Sequence, residues 1–185
     1  MISHASISVW AWLSKPRAWL AALILFSAAG PVIADTVYLS PDNFLRETFG
    51  TTLPQPQFLW LDDKAQAQLK AIFGHPYPQA RLRYWRAVGK TAWVLEDTGK
   101  EFPITAGFVV KDHKIDTARV MIYRESRGDE IHYPSFLKQF SGTHLKDDEL
   151  DPGIDGISGA TLSVAAMKRM ARAALTLDSL LGPDL

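Results

Sequence analysis

The chain has 185 residues, 20 Lys and Arg balanced by 20 Asp and Glu, and no cysteine. That balance leaves no polybasic footprint for nucleic acid. The missing cysteine excludes a disulfide framework, a thiolate zinc site, covalent haem attachment and a lipidated cysteine at a processing site.

Lys15 and Arg17 precede the apolar run AWLAALILFSAAG, and Val32 and Ala34 stand as small residues ahead of a cut. This pattern predicts a cleaved signal peptide over 1–34 and export to the periplasm. The run is shorter than the roughly 20 apolar residues of a spanning helix, and Gly30 and Pro31 break its far end. Cleavage after Ala34 leaves 151 residues, 18 basic and 20 acidic, a net charge of −2. That length suits one domain, 35–185.

In the remainder, SPDNFLRETFG predicts a short helix capped by Ser40 or Asp42 and stopped by Gly50. DDKAQAQLKAIFG predicts a second, with acids in its first turn and Gly74 at its end. From Arg81 the period becomes two. ARLRYW is expected to turn at Gly89-Lys90 into TAWVLE, and PITAGFVV to turn at Asp112-His113 into KIDTARVMIY. In the last run Ala118, Val120 and Ile122 face one way, and Thr117, Arg119 and Tyr123 the other. The reading is α+β: a helical part over 35–80, then a core over 81–185 with a half-buried antiparallel meander that needs a helix on its apolar face.

Leu162 to Leu181 supplies that helix. On a 100° wheel Ala166, Met167, Met170, Ala174, Leu177 and Leu181 form one arc, with Lys168, Arg169 and Arg172 opposite. The same wheel puts Thr161 on the polar side, its hydroxyl reachable. Ahead of it stands DGISGAT, Asp155 to Thr161. Gly156, Gly159 and Ala160 permit close approach to the backbone, and a helix N-terminus offers free N–H groups to a phosphate. Small residues also open helices with no ligand in view, and chemistry alone leaves both readings standing.

DGISGAT resembles the flavinylation motif of the FMN-binding domain family, Asp-x-x-(Ser/Thr)-Gly-Ala-(Thr/Ser), met here by Asp155, Ser158, Gly159, Ala160 and Thr161. The segment Tyr123 to Gly142 is similar to the family's Glu-(Thr/Ser)-x-Gly stretch, with Glu125, Ser126 and Gly128 in its specified places. The resemblance covers roughly Leu82 to Leu181. It implies FMN joined to Thr161 by a phosphoester, Ser158, Gly159 and Ala160 around the phosphate, and Glu125, Ser126 and Gly128 along the flavin ring. It implies Asp155 as a recognition residue for a flavin transferase (FAD:protein FMN transferase) that takes FMN from FAD and releases AMP. The function implied is a periplasmic electron carrier or redox subunit, a flavoprotein more than a stand-alone enzyme. Its partner would be a membrane-bound cytochrome or oxidoreductase subunit.

Two other classes compete. A serine hydrolase built on Ser158 lacks the second glycine of a nucleophile elbow, since Ala160 stands there, and no histidine follows. Histidines 75, 113, 132 and 144 form no i, i+4 pair, and no metal site is expected. A non-flavin exported module that binds a ligand or partner is the remaining alternative.

Overall fold

Sequence periodicity resolves into a six-stranded antiparallel sheet with helices on both faces in a computed structural model that describes residues 35–182. The expected leader, 1–34, lies outside the described residues. Two capped helices precede the meander. Ser40 accepts from the Asn43 N–H to start α1 (Pro41–Phe49), Asp62 accepts from the Ala65 N–H to start α2 (Asp63–Phe73), and Gly50 and Gly74 end them.

The meander follows as β3 (Arg81–Ala87), β4 (Lys90–Thr98), β5 (Pro103–Lys111) and β6 (Lys114–Tyr123). The β3–β4 turn is Val88-Gly89, one residue earlier than the expected Gly89-Lys90: both central residues have positive φ, 53° and 67°, and Lys90 already pairs with Ala87. Asp112-His113 turns β5 into β6 as expected, again with both φ positive. The part before Arg81 is not simply helical. It supplies both edges of the sheet, β1 (Thr36–Val37) against β6 and β2 (Gln57–Trp60) against β3, giving the order β1-β6-β5-β4-β3-β2.

A second departure lies in β6. Thr105 pairs with Ile122 but Ala106 pairs with Val120, so Met121 is an extra residue in a bulge. An extra residue reverses the alternation beyond it. Tyr123 therefore joins Ala118 and Val120 in the core beneath the long helix, and Ile122 turns to the face of α1.

Both faces of the central strands are covered, which is why PITAGFVV reads as an unbroken apolar run. On one side Phe44 and Leu45 of α1 meet Ala92, Val109 and Met121. A Cβ at Gly107 would lie 2.7 Å from the Phe44 ring, so β5 needs glycine there. On the other side lies α4 (Thr161–Leu180), reached through the one-turn α3 (Pro134–Leu137) and then β7 (His144–Lys146) and β8 (Glu149–Asp151), a hairpin whose three-residue strands carry too little pattern to read. Met167, Met170 and Leu177 are fully buried under the sheet, each contributing about 1.5–3 kcal/mol. Because α2 and the β7–β8 hairpin also pack on α4, its buried arc is wider than the wheel implies and takes in Ala171, Ala173 and Leu175. Leu181 lies just past the helix end and is only partly buried.

Candidate functional site

The long helix begins without the caps of the other two. Its N-cap is Ala160 (φ −114°, ψ 22°), no side chain bonds to its first turn, and no acid stands there, whereas α1 and α2 have both. The leading N–H groups of α4 therefore lack a side-chain acceptor at the positive end of a 20-residue helix. Thr161 at the first helical position is exposed, as the wheel predicts.

Ahead of it a tight turn is closed by the Ala160 N–H donating to the Ile157 carbonyl at 3.1 Å, with Gly159 at φ +86°. Ser158 and Gly159 are exposed on that turn, while Ala160 is buried. Buried Ile154 anchors the loop, and its carbonyl accepts from Lys168 at 3.4 Å. Asp155 is exposed and its backbone N–H donates to Gln139 Oε1 at 2.8 Å.

The second segment lands against the first. Gly128 sits at φ +88°, and a Cβ there would lie 2.8 Å from Ser163 Oγ, 3.1 Å from the Tyr123 hydroxyl oxygen and 3.4 Å from Ala160 Cα. Thus Gly128 is a contact for the start of α4, and its bare face meets Ser163 and Tyr123. Tyr123 OH donates to the Arg127 carbonyl and lies 2.9 Å from Ser163 Oγ. Burial, with Glu125, Asp129 and Glu130 nearby, pushes the Tyr123 phenol up, outweighing its bond to Ser163. It keeps its proton, and since that proton goes to a carbonyl, Ser163 must donate to the phenol oxygen. The Ser163 hydroxyl is thereby buried and committed, whereas that of Thr161 is open to solvent.

Glu125 is turned to a third segment. Its Oε1 accepts from the backbone N–H groups of Lys100, Glu101 and Phe102 at 2.5, 2.7 and 2.9 Å, holding the β4–β5 loop. Burial opposes its charge, but those three donors and Lys100 win and hold its carboxyl below the usual range. Ser126 and Arg127 are exposed beside it. The loop is also tied to α4. Arg169 Nε donates to Asp97 Oδ2 at 2.6 Å and its Nη2 to the Thr98 carbonyl at 3.1 Å. Asp97 is buried, and burial pushes its carboxyl up despite Arg169 and the Thr98 N–H, which pull it down. Arg169 is therefore not on a merely solvated face.

Sequence reasoning missed both polar pairs, Tyr123 with Ser163 and Asp97 with Arg169. The one signal is an arginine two turns into an alanine-rich helix. A cavity of about 400 Å³ lined by Thr91, His113 and Asp178 lies at the far end of α4, about 26 Å along the axis from Thr161, and is not part of this site.

The fold and site together define a small α+β domain that presents one exposed threonine hydroxyl at an uncapped helix N-terminus, braced by two loops. Residues 99–176 match the model of a family described as FMN-binding domain. FMN is the cofactor that this match supports. No curated protein and no solved structure matches the chain.

Proposed function

We propose that the protein carries FMN covalently on Thr161 and serves in the periplasm as an electron carrier, or redox subunit, for a membrane-bound oxidoreductase or cytochrome. The observation that carries this reading is the pairing of an exposed Thr161 hydroxyl with the uncapped first turn of α4, inside the family segment.

The residues fit a phosphate ester. Free N–H groups and the helix dipole face the position an anion would take, and neither acid nor cap competes for it. Exposed Ser158 and Gly159 leave the approach open. Glu125, with three backbone N–H groups on one oxygen, positions the 99–102 loop, and Gly128 holds the other wall against Ala160. Asp155 stands exposed six residues before the hydroxyl, where a transferase could read it.

In the attachment step Thr161 Oγ1 forms a bond to the FMN phosphorus of FAD. The bond from that phosphorus to the bridging oxygen breaks, AMP leaves with that oxygen, and the hydroxyl proton passes to a base of the transferase. Bound FMN supplies two-electron uptake with one-electron release. A covalent link makes retention independent of affinity, which matters outside the cytoplasm, where released cofactor is lost.

Peptide mass spectrometry of protein produced with the transferase tests the reading. One FMN less one water is expected on the peptide holding Thr161, and none in Thr161→Ala. Addition at Ser158 or Ser163, or a colourless protein, would overturn it; the latter would leave a binding module without flavin.

A further inference from the structure

A different surface lies outside the family segment, on the sheet face that α1 only partly covers. At the edge, Phe58 and Trp60 of β2 pair with Arg83 and Arg81 of β3. Cross-strand partners share a face, so two aromatic rings and two guanidinium groups stand together. Trp60 is 67% exposed and Phe58 42%. The Arg81 guanidinium carbon lies 4.4 Å from the centre of the Phe58 ring and 5.4 Å from that of Trp60, and the Arg83 carbon lies 5.7 Å from Phe58.

Among the described residues, neither arginine has a carboxylate or hydrogen-bond partner. A guanidinium drawn to a ring face has not spent its N–H donors on an acceptor, so each cation keeps its capacity for oxyanions. Beside them runs a groove of about 400 Å³ lined by Pro41, Phe58, Gln79, Arg81, Arg83 and Trp85.

From this arrangement we infer that the β2–β3 edge docks the protein on an anionic lipid surface, with Trp60 and Phe58 entering the headgroup layer and Arg81 and Arg83 taking lipid phosphates. An amphipathic indole with a neighbouring phenyl ring and adjacent arginines is the composition of a membrane interface. The patch is a handful of side chains, well short of the roughly 800 Å² per partner of a stable protein interface. A second copy laid face to face would bring four guanidinium groups together. Charge complementarity selects a surface of phosphates.

Vesicle co-sedimentation of the protein as purified from the periplasm tests this, and the readout does not depend on flavin content. Binding is expected to phosphatidylglycerol-containing vesicles, with a blue shift of tryptophan emission. It should be far weaker to phosphatidylcholine alone and weaken as salt rises. Arg81→Gln and Arg83→Gln should each lose about fivefold in affinity, and Trp60→Ala about tenfold, with Trp60→Phe recovering most of it. Equal binding to both vesicle types, or variants that bind like the wild type, would overturn the inference. So would retention on polyglutamate without vesicle binding, which would assign the patch to an acidic protein.

Discussion

Gly128→Ala separates two costs that the structure superimposes at one position. The first is conformational. At φ +88° a side chain sits in the left-handed region, which costs about 1–2 kcal/mol. The second is steric, because the new Cβ would lie 2.8 Å from Ser163 Oγ, and moving that hydroxyl breaks its bond to Tyr123, a further loss of about 1 kcal/mol. Gly142 is the natural control. Its φ is +85°, yet nothing lies within 4 Å of its missing Cβ, so Gly142→Ala meets only the first cost. Urea unfolding with unchanged m-values should give about 1–2 kcal/mol for Gly142→Ala and about 2–3 kcal/mol for Gly128→Ala. In a Ser163→Ala background the excess should shrink to what the Tyr123 hydroxyl, 3.1 Å from the new Cβ, still imposes. If Gly128→Ala costs no more than Gly142→Ala, or the excess is undiminished without Ser163, the packing of this loop on the start of α4 is refuted.

Glu125→Gln removes the charge that three N–H groups address and should cost about 1–3 kcal/mol at neutral pH. The folded carboxyl lies below its ordinary value, so its contribution is present above the unfolded pKa and is lost as pH falls through the folded one; unfolding across the acid range should show the wild-type advantage disappearing there. Arg169→Ala leaves Asp97 buried and unpaired, at about 3–5 kcal/mol at neutral pH. Since burial already raises that carboxyl, protonation relieves the variant, and chemical denaturation should find the penalty shrinking as pH falls. Thr161→Ala should change stability by no more than about 0.5 kcal/mol in the same assay, because the side chain is exposed and caps nothing.

The helices and turns were legible where local chemistry decides them: Ser40, Asp62, Gly50 and Gly74 bound α1 and α2 by satisfying backbone groups within one turn. The edges were not. β1 has two residues and exists only because β6 offers it a partner, and β2, exposed along most of its length, shows no alternation to read. The bulge at Met121 inverted the faces of Ile122 and Tyr123 because it answers to packing between β5 and β6, which no single strand reports. In the candidate site the motif residues were found by their order along the chain. The side chains that brace them, Tyr123, Ser163 and Arg169, carry roles that depend on what the fold lays beside them.

Two hydroxyls stand two residues apart on the first turn of α4, and the packing beneath decides which one faces out. Residues i and i+2 are separated by about 200° on a helix, so Thr161 and Ser163 cannot both reach solvent on one side. Ser163 is turned inward by Tyr123, whose own position follows from the bulge in β6. Ala160 is 2% exposed, and a Cβ at Gly128 would stand 3.4 Å from its Cα, so the bare face of Gly128 lies directly against the helix start. A slip of one residue toward the preceding loop would put the threonine in the buried place of Ala160. The deeply packed alanine and methionine face from Ala166 to Leu177 resists that slip, since every core contact would have to change with it. A fixed backbone under a free hydroxyl is what the proposed tether requires: the Thr161 oxygen is held in place by the core, and a group carried there would remain on the outside, where a second protein could reach it.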